Sequence, residues 1–119
     1  MIYEELLYEE ESSTLDFKSE QYPFNSASDY QKSELLKDIL AFANAWRHGD
    51  AYVLIGVREI KGGRSEVVGI VEELDDAQLQ QFVNTKTQRP IYFEYKTILI
   101  DGKKVGSIRI PLQKRPIFL

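Results

Sequence analysis

Leu35, Leu36, Ile39, Leu40 and Ala43 recur at steps of three and four residues, the spacing of a helix that buries one side. Ser28 followed three residues later by Gln31 is a capping-box signal, so a helix is predicted over Asp29–Ala45. The polar bend Arg47-His48-Gly49-Asp50 ends that pattern, and the apolar run Ala51–Val57 reads as a strand that delivers Arg58 and Glu59 to its exit. Lys61-Gly62-Gly63 marks a turn, with Ser65–Val71 as the partner strand of a hairpin. Asp75 and Gln78 repeat the capping signal before a second helix, Asp76–Val83, with Leu79, Phe82 and Val83 on one face. Ile91–Ile100 and Lys104–Ile110 read as a second hairpin, because Asp101-Gly102 suits the positive φ angles of a tight type I′ turn. Upstream, Leu15–Lys18 is a short strand, residues 19–28 a loop, and residues 2–10 carry apolar groups at the spacing of a short helix.

These elements give the order β-α-β-β-α-β-β. The fold class is α+β, a mixed or antiparallel sheet with two helices packed on it. A single core is expected from Leu36, Ile39, Leu40, Phe42, Leu54, Ile55, Val57, Val68, Leu79, Phe82 and Ile108. A length of 119 residues makes 1–119 one domain, and such a domain buries enough surface to hold a core of its own. Its apolar ending, Arg115-Pro116-Ile117-Phe118-Leu119, is the pattern expected of a domain excised from a longer chain.

The absence of cysteine excludes a disulfide framework and a thiolate metal site. No apolar run reaches the roughly 18 residues of a membrane span, and the acidic start MIYEELLYEEE is unlike a signal peptide. A cytoplasmic location and no membrane partner are therefore expected. Net charge is −4, but it is unevenly distributed. Residues 1–20 hold seven acids and one lysine, whereas residues 86–115 hold eight basic groups against Glu94 and Asp101. A local basic face, rather than net charge, governs association with nucleic acid. Lys96, Lys103, Lys104 and Arg109 on the second hairpin are the candidate phosphate contacts, with Lys18 as a further one. Tyr92, Phe93 and Tyr95 alternate with these charges as candidate base-stacking groups or core. The acidic first ten residues are expected to oppose such binding.

Glu11, Asp16 and Glu59 are candidate catalytic and metal-ligating carboxylates, since converging carboxylates suit Mg²⁺ or Mn²⁺. The alternative is ordinary solvated charge at strand ends. Lys18, two residues from Asp16 and on the same strand face, is expected to pair with it. Asn44 is expected to hold the helix end by bonding backbone at the bend. Gly56 is expected to permit close packing against the helix, and Trp46 to pack under the bend. His48, the sole histidine, is a loop imidazole without a nucleophile partner. No phosphate-binding glycine loop occurs, so no nucleotide site is expected.

The order Glu11-x4-Asp16-Phe17-Lys18, Ala41-Phe42-Ala43-Asn44, Val53-Leu54-Ile55-Gly56-Val57 and Val68-Gly69-Ile70 resembles the Schlafen AlbA-type domain over roughly residues 9 to 118. Two departures stand out. The family's usual Gly-Gly turn is replaced by Ala45-Trp46-Arg47-His48-Gly49-Asp50, and its usual Glu-Phe-Lys by Asp16-Phe17-Lys18. The resemblance implies a DNA- or RNA-binding domain within a larger bacterial protein of the transcriptional-regulator type, which binds without a cofactor. Eukaryotic Schlafen nucleases carry an acidic triad in this fold, and residue-for-residue its members match Glu11, Asp16 and Glu59. The resemblance thus also implies a rival, a Mg- or Mn-dependent endoribonuclease. A third alternative is a protein-interaction or dimerisation module, with a homo-oligomer and further domains of the same chain as partners.

Overall fold

The computed structural model describes residues 2–119. In chain order the elements are α1 (Ile2–Leu6), β1 (Leu15–Lys18), α2 (Asp29–Asn44), β2 (Ala51–Ile55), β3 (Val57–Arg58), β4 (Glu66–Val67), α3 (Asp76–Lys86), β5 (Glu94–Ile100) and β6 (Lys103–Ile110). Four strands form one mixed sheet in the order β1-β2-β6-β5, and β3-β4 form a separate two-stranded ribbon. β1 runs parallel to β2, with Leu15 opposite Tyr52 and Lys18 opposite Ile55. Parallel neighbours need a long crossover, and residues 19–50, with α2 inside them, supply it. β6 is antiparallel to both β2 and β5.

The caps lie where the sequence places them. The Ser28 hydroxyl accepts from Gln31 N–H at 3.2 Å, and the Gln31 side chain accepts from Ser28 N–H at 2.9 Å. The Asp75 carboxylate accepts from Gln78 N–H at 3.0 Å. Asp101 and Gly102 both have positive φ, 53° and 72°, as the tight turn between β5 and β6 requires.

The sheet is buried on both faces, so the single core expected from periodicity is in fact two. On one face α2 and α3 cover Val53, Ile55 and Ile108 with Leu35, Ile39, Leu79 and Val83. On the other, α1 and the β3-β4 ribbon cover Leu54 with Leu6, Leu7, Val57 and Val67. Alternation along β2 explains the split, because successive side chains point to opposite faces. Leu54 therefore belongs to a different layer from Ile55, Val57 joins Leu54 because the turn at Gly56 breaks the alternation, and Val68 is 38 % exposed and joins neither core. Leu6 and Leu7 being buried also changes the role of the N-terminus: residues 1–10 carry core as well as acid.

The expected strand Ala51–Val57 is interrupted at Gly56, and Ser65–Val71 pairs only at Glu66–Val67. Both departures have one cause. Gly56 has φ 99° and Gly69 has φ 83°, turns that side-chain-bearing residues rarely adopt. Gly56 C=O accepts from both Val68 N–H (2.8 Å) and Gly69 N–H (2.9 Å), which takes those groups out of the ribbon ladder. A Cβ on Gly56 would lie 3.0 Å from the Gly69 carbonyl carbon and 3.1 Å from Ile70 Cγ2. Gly56 thus permits a close approach, but to the Gly69–Ile70 backbone turn rather than to the helix.

β5 begins at Glu94, not Ile91, because side chains satisfy the preceding peptides. Ile91 N–H donates to Asn84 Oδ1 and Tyr92 N–H to Gln113 Oε1, each at 2.8 Å. Among the described residues no helix is long and apolar enough to cross a membrane.

Candidate functional site

β1 is an edge strand, and an edge strand leaves alternate N–H groups without a ladder partner. Glu11 fills one of these vacancies: its carboxylate accepts from Phe17 N–H at 2.9 Å. The Glu11 N–H in turn donates to Glu59 Oε2 at 2.8 Å, across 48 residues of sequence. The carboxyl groups of Asp16 and Glu59 both lie close enough to that of Glu11 to act on its ionisation. The three acids singled out in the sequence are therefore brought together at one sheet edge.

Their electrostatics follow from the crowding. The neighbouring Asp16 carboxyl, together with partial burial, raises the Glu11 pKa above its ordinary value, against the opposing bond from Phe17 N–H. Lys18 stands on the same strand face as Asp16, 3.4 Å from it and 3.3 Å from Asp38 of α2. Burial alone would lower the Lys18 pKa, but the two carboxylates outweigh it and the net shift is upward. The Tyr22 hydroxyl donates to Asp38 at 2.6 Å, and burial together with that carboxylate holds the phenol protonated well above its ordinary range.

Asp38 was not legible as part of this cluster, although one signal existed. It falls between Leu35 and Phe42 on the inward side of α2, a poor place for a solvated charge. Lys18 is thus committed to two carboxylates rather than presented alone.

As placed, the acids do not make a ligand set for Mg²⁺ or Mn²⁺. Among the described residues no group of three Asp, Glu, His or Cys side chains has a geometry that could hold a metal ion. Two of the three carboxylates each accept from a backbone N–H.

The second hairpin distributes its basic groups over two faces. Register places Lys96, Lys103 and Arg109 on the α1 face, with Ser107, whose hydroxyl donates to the Tyr3 hydroxyl. Lys104 lies on the opposite face and pairs with Glu73 at 2.9 Å. Arg109 pairs with Asp50 at 2.9 Å, while Lys103 Nζ donates to Val67 C=O and Lys96 Nζ lies 6.0 Å from the Tyr3 ring centre. Phe93 and Tyr95 are core, and Tyr92 is exposed.

A second cluster, at the bend after α2, went largely unread in the sequence. Arg47 is buried and donates to four carbonyls, those of Phe42, Gly49, Ile110 and Pro111, at 2.8–3.2 Å. Burial lowers its pKa, and nearby Asp50 offsets part of that. Asn44 reaches past the bend to the C-terminal segment, donating to Ile117 C=O at 2.9 Å and accepting from Ile117 N–H at 2.7 Å. With the bend held from beneath by Arg47, Trp46 does not pack under it and is 85 % exposed.

The family model described as Schlafen, AlbA_2 matches residues 11–118. The chain belongs to this family. Among solved structures it is similar to the N-terminal domain of a protein from Nitrosomonas europaea named for its relation to the ATP-dependent DNA helicase RecG. That likeness has 22 % identity and a TM-score of 0.56, over 93 % of this chain and 73 % of that one. It is also similar to the DIP2311 protein from Corynebacterium diphtheriae, with 23 % identity and a TM-score of 0.54, over 88 % of this chain and 19 % of that one. This chain therefore corresponds to about a fifth of DIP2311. At these identities both likenesses concern the fold. No curated protein matches the sequence.

Proposed function

We propose that this chain is a nucleic-acid-binding domain of a larger regulator-like protein. Membership of the Schlafen, AlbA_2 family over residues 11–118 carries the reading. The name of the Nitrosomonas relative, which ties that protein to a DNA helicase, agrees with it. Lys96 and Lys103 have no carboxylate within ion-pair distance among the described residues, and both lie on the α1 face of the sheet with Arg109. They are the cations of the hairpin best able to meet phosphate, since an ion-paired lysine must first give up its carboxylate. The domain is titrated with fluorescent single- and double-stranded DNA and RNA, and anisotropy is followed. Lys96→Glu with Lys103→Glu is expected to weaken binding at least tenfold. Lys104→Glu, on the opposite face, is expected to change it less than twofold. Equal losses from both variants would remove the α1 face from the reading.

The convergence of Glu11, Asp16 and Glu59 favours a second reading, a metal-dependent endoribonuclease. It requires the cluster to open, because the present placement does not hold a cation. Incubation of labelled RNA with and without Mn²⁺ tests it. Cleavage that needs Mn²⁺ and is lost in Glu59→Gln, with binding kept, would establish the nuclease. Intact RNA under both conditions would dismiss it.

A further inference from the structure

Trp46 is the one tryptophan of the chain, and its ring stands in solvent on the bend after α2. Isolated exposed aromatics are common on proteins, but this one is organised. The Arg115 guanidinium lies 3.5 Å from the ring centre, and its Nη1 donates to Ala45 C=O at 2.8 Å. The cation is thus held by the ring and by the backbone beside it. Beneath it, Arg47 fastens the bend to the end of β6 through four carbonyls. Asn44 fastens the Ile117 backbone to the end of α2. Two separate polar clamps therefore hold the segments that carry Trp46 and Arg115.

The stacked pair is shared by two depressions, of about 420 and 440 Å³. Either exceeds the roughly 300 Å³ at which small-molecule sites begin. His48 and Lys114 line the first, Asn44 and Pro116 the second, and neither contains an aspartate or glutamate in its lining. No carboxylate of either lining therefore opposes an anion beside the tryptophan and the arginine. An aromatic face with adjoining cations is the chemistry that meets a base and its phosphate together.

We infer that Trp46 and Arg115 form a stacking platform for an unpaired base of single-stranded nucleic acid, with Lys114 placed for the neighbouring phosphate. This rests on the nucleic-acid-binding reading and deepens it by naming the form of the ligand and where it sits. A duplex hides its base faces, so it would not use the platform.

The sole tryptophan makes the site its own reporter. A short oligothymidylate is titrated into the domain while tryptophan emission and probe anisotropy are followed in parallel. Emission is expected to be quenched in step with anisotropy, and duplex DNA is expected to leave it unchanged. Trp46→Ala is expected to weaken oligothymidylate binding about tenfold, equivalent to about 1.4 kcal/mol. Its thermal midpoint should hold, because the ring is exposed. Lys114→Glu, which keeps the ring, is expected to weaken binding while quenching at saturation is retained. Binding by anisotropy with unchanged emission, and full affinity in Trp46→Ala, would overturn the platform and leave the nucleic-acid reading standing. Equal quenching by duplex would overturn the preference for unpaired bases. Self-association lost in Trp46→Ala, without any effect on oligonucleotide binding, would reassign the pair to a contact between copies. No binding of any DNA or RNA would remove both readings at once.

Discussion

Gly56→Ala is the substitution whose cost can be worked most directly from the geometry. The residue has φ 99°, outside the range that a side chain tolerates well. That strain costs about 1–3 kcal/mol. The new methyl group would also meet the Gly69 carbonyl carbon at 3.0 Å and the Gly69 Cα at 3.2 Å, which are backbone atoms and cannot rotate away. Overpacking of this kind adds about 1–3 kcal/mol. The combined loss, about 2–6 kcal/mol, is a large share of the roughly 5–15 kcal/mol that holds a domain folded. Thermal unfolding by circular dichroism should show a midpoint lowered by roughly 8–24 °C. Two other glycines separate the two causes. Gly62 has φ 82° but nothing within 4 Å of where a Cβ would stand, so Gly62→Ala should show strain alone, about 1 kcal/mol. Gly49 has neither a positive φ nor a close neighbour, and Gly49→Ala should be neutral within about 0.5 kcal/mol. A Gly56→Ala midpoint no lower than that of Gly62→Ala would refute the close crossing of the two turns.

Two further perturbations probe the clamps around the candidate sites. Asn44→Ala removes both hydrogen bonds to Ile117 and should lower stability by about 1–3 kcal/mol in urea unfolding, with an unchanged result showing that the C-terminal segment is held by its apolar contacts alone. Glu11 has a folded pKa raised above its ordinary value, so the native state holds the proton more tightly than the unfolded chain; its contribution to stability is then greatest below the unfolded pKa and is lost as pH rises through the folded pKa. Glu11→Gln, which keeps an acceptor for Phe17 N–H, should therefore raise the thermal midpoint at neutral pH and lose that advantage below about pH 4.5, and an advantage that persists there would contradict the raised Glu11 pKa.

The helices and the second hairpin were legible because their signals are local. Ser28 and Gln31, Asp75, and Asp101-Gly102 act within three or four residues of themselves. The two-layer core was harder to read. The run Ala51–Ile55 is apolar at nearly every position, and an unbroken run does not reveal that alternate residues serve different layers. The α1 segment was legible as a short helix, but glutamates flank Leu6 and Leu7, so nothing local marked those two as core. The paired turns at Gly56 and Gly69 depend on an approach between residues 13 apart, which no local pattern encodes.

The candidate sites divide in the same way. Glu11, Asp16 and Glu59 were found through an ordered resemblance, and they do converge, since β1 and β2 are parallel neighbours whose ends meet the β3 exit. The four candidate phosphate contacts of the hairpin do not share one face, because alternation along β6 sends Lys104 away from Lys103 and Arg109. Asn44 was legible as a backbone-bonding helix end, but its partner Ile117, like the carbonyls that Arg47 binds, was not, because distant backbone groups are ones that nearly every residue possesses.

The salt dependence of oligonucleotide binding tests the central claim most directly. Affinity of the domain for a short single-stranded probe is measured over a series of salt concentrations. Contact with three or four phosphates predicts a straight line of log K against log salt with a slope of roughly −2 to −3, and a shallower line for Lys96→Glu with Lys103→Glu. No measurable affinity even at the lowest salt, for DNA and RNA alike, would contradict the assignment of this domain to nucleic-acid binding.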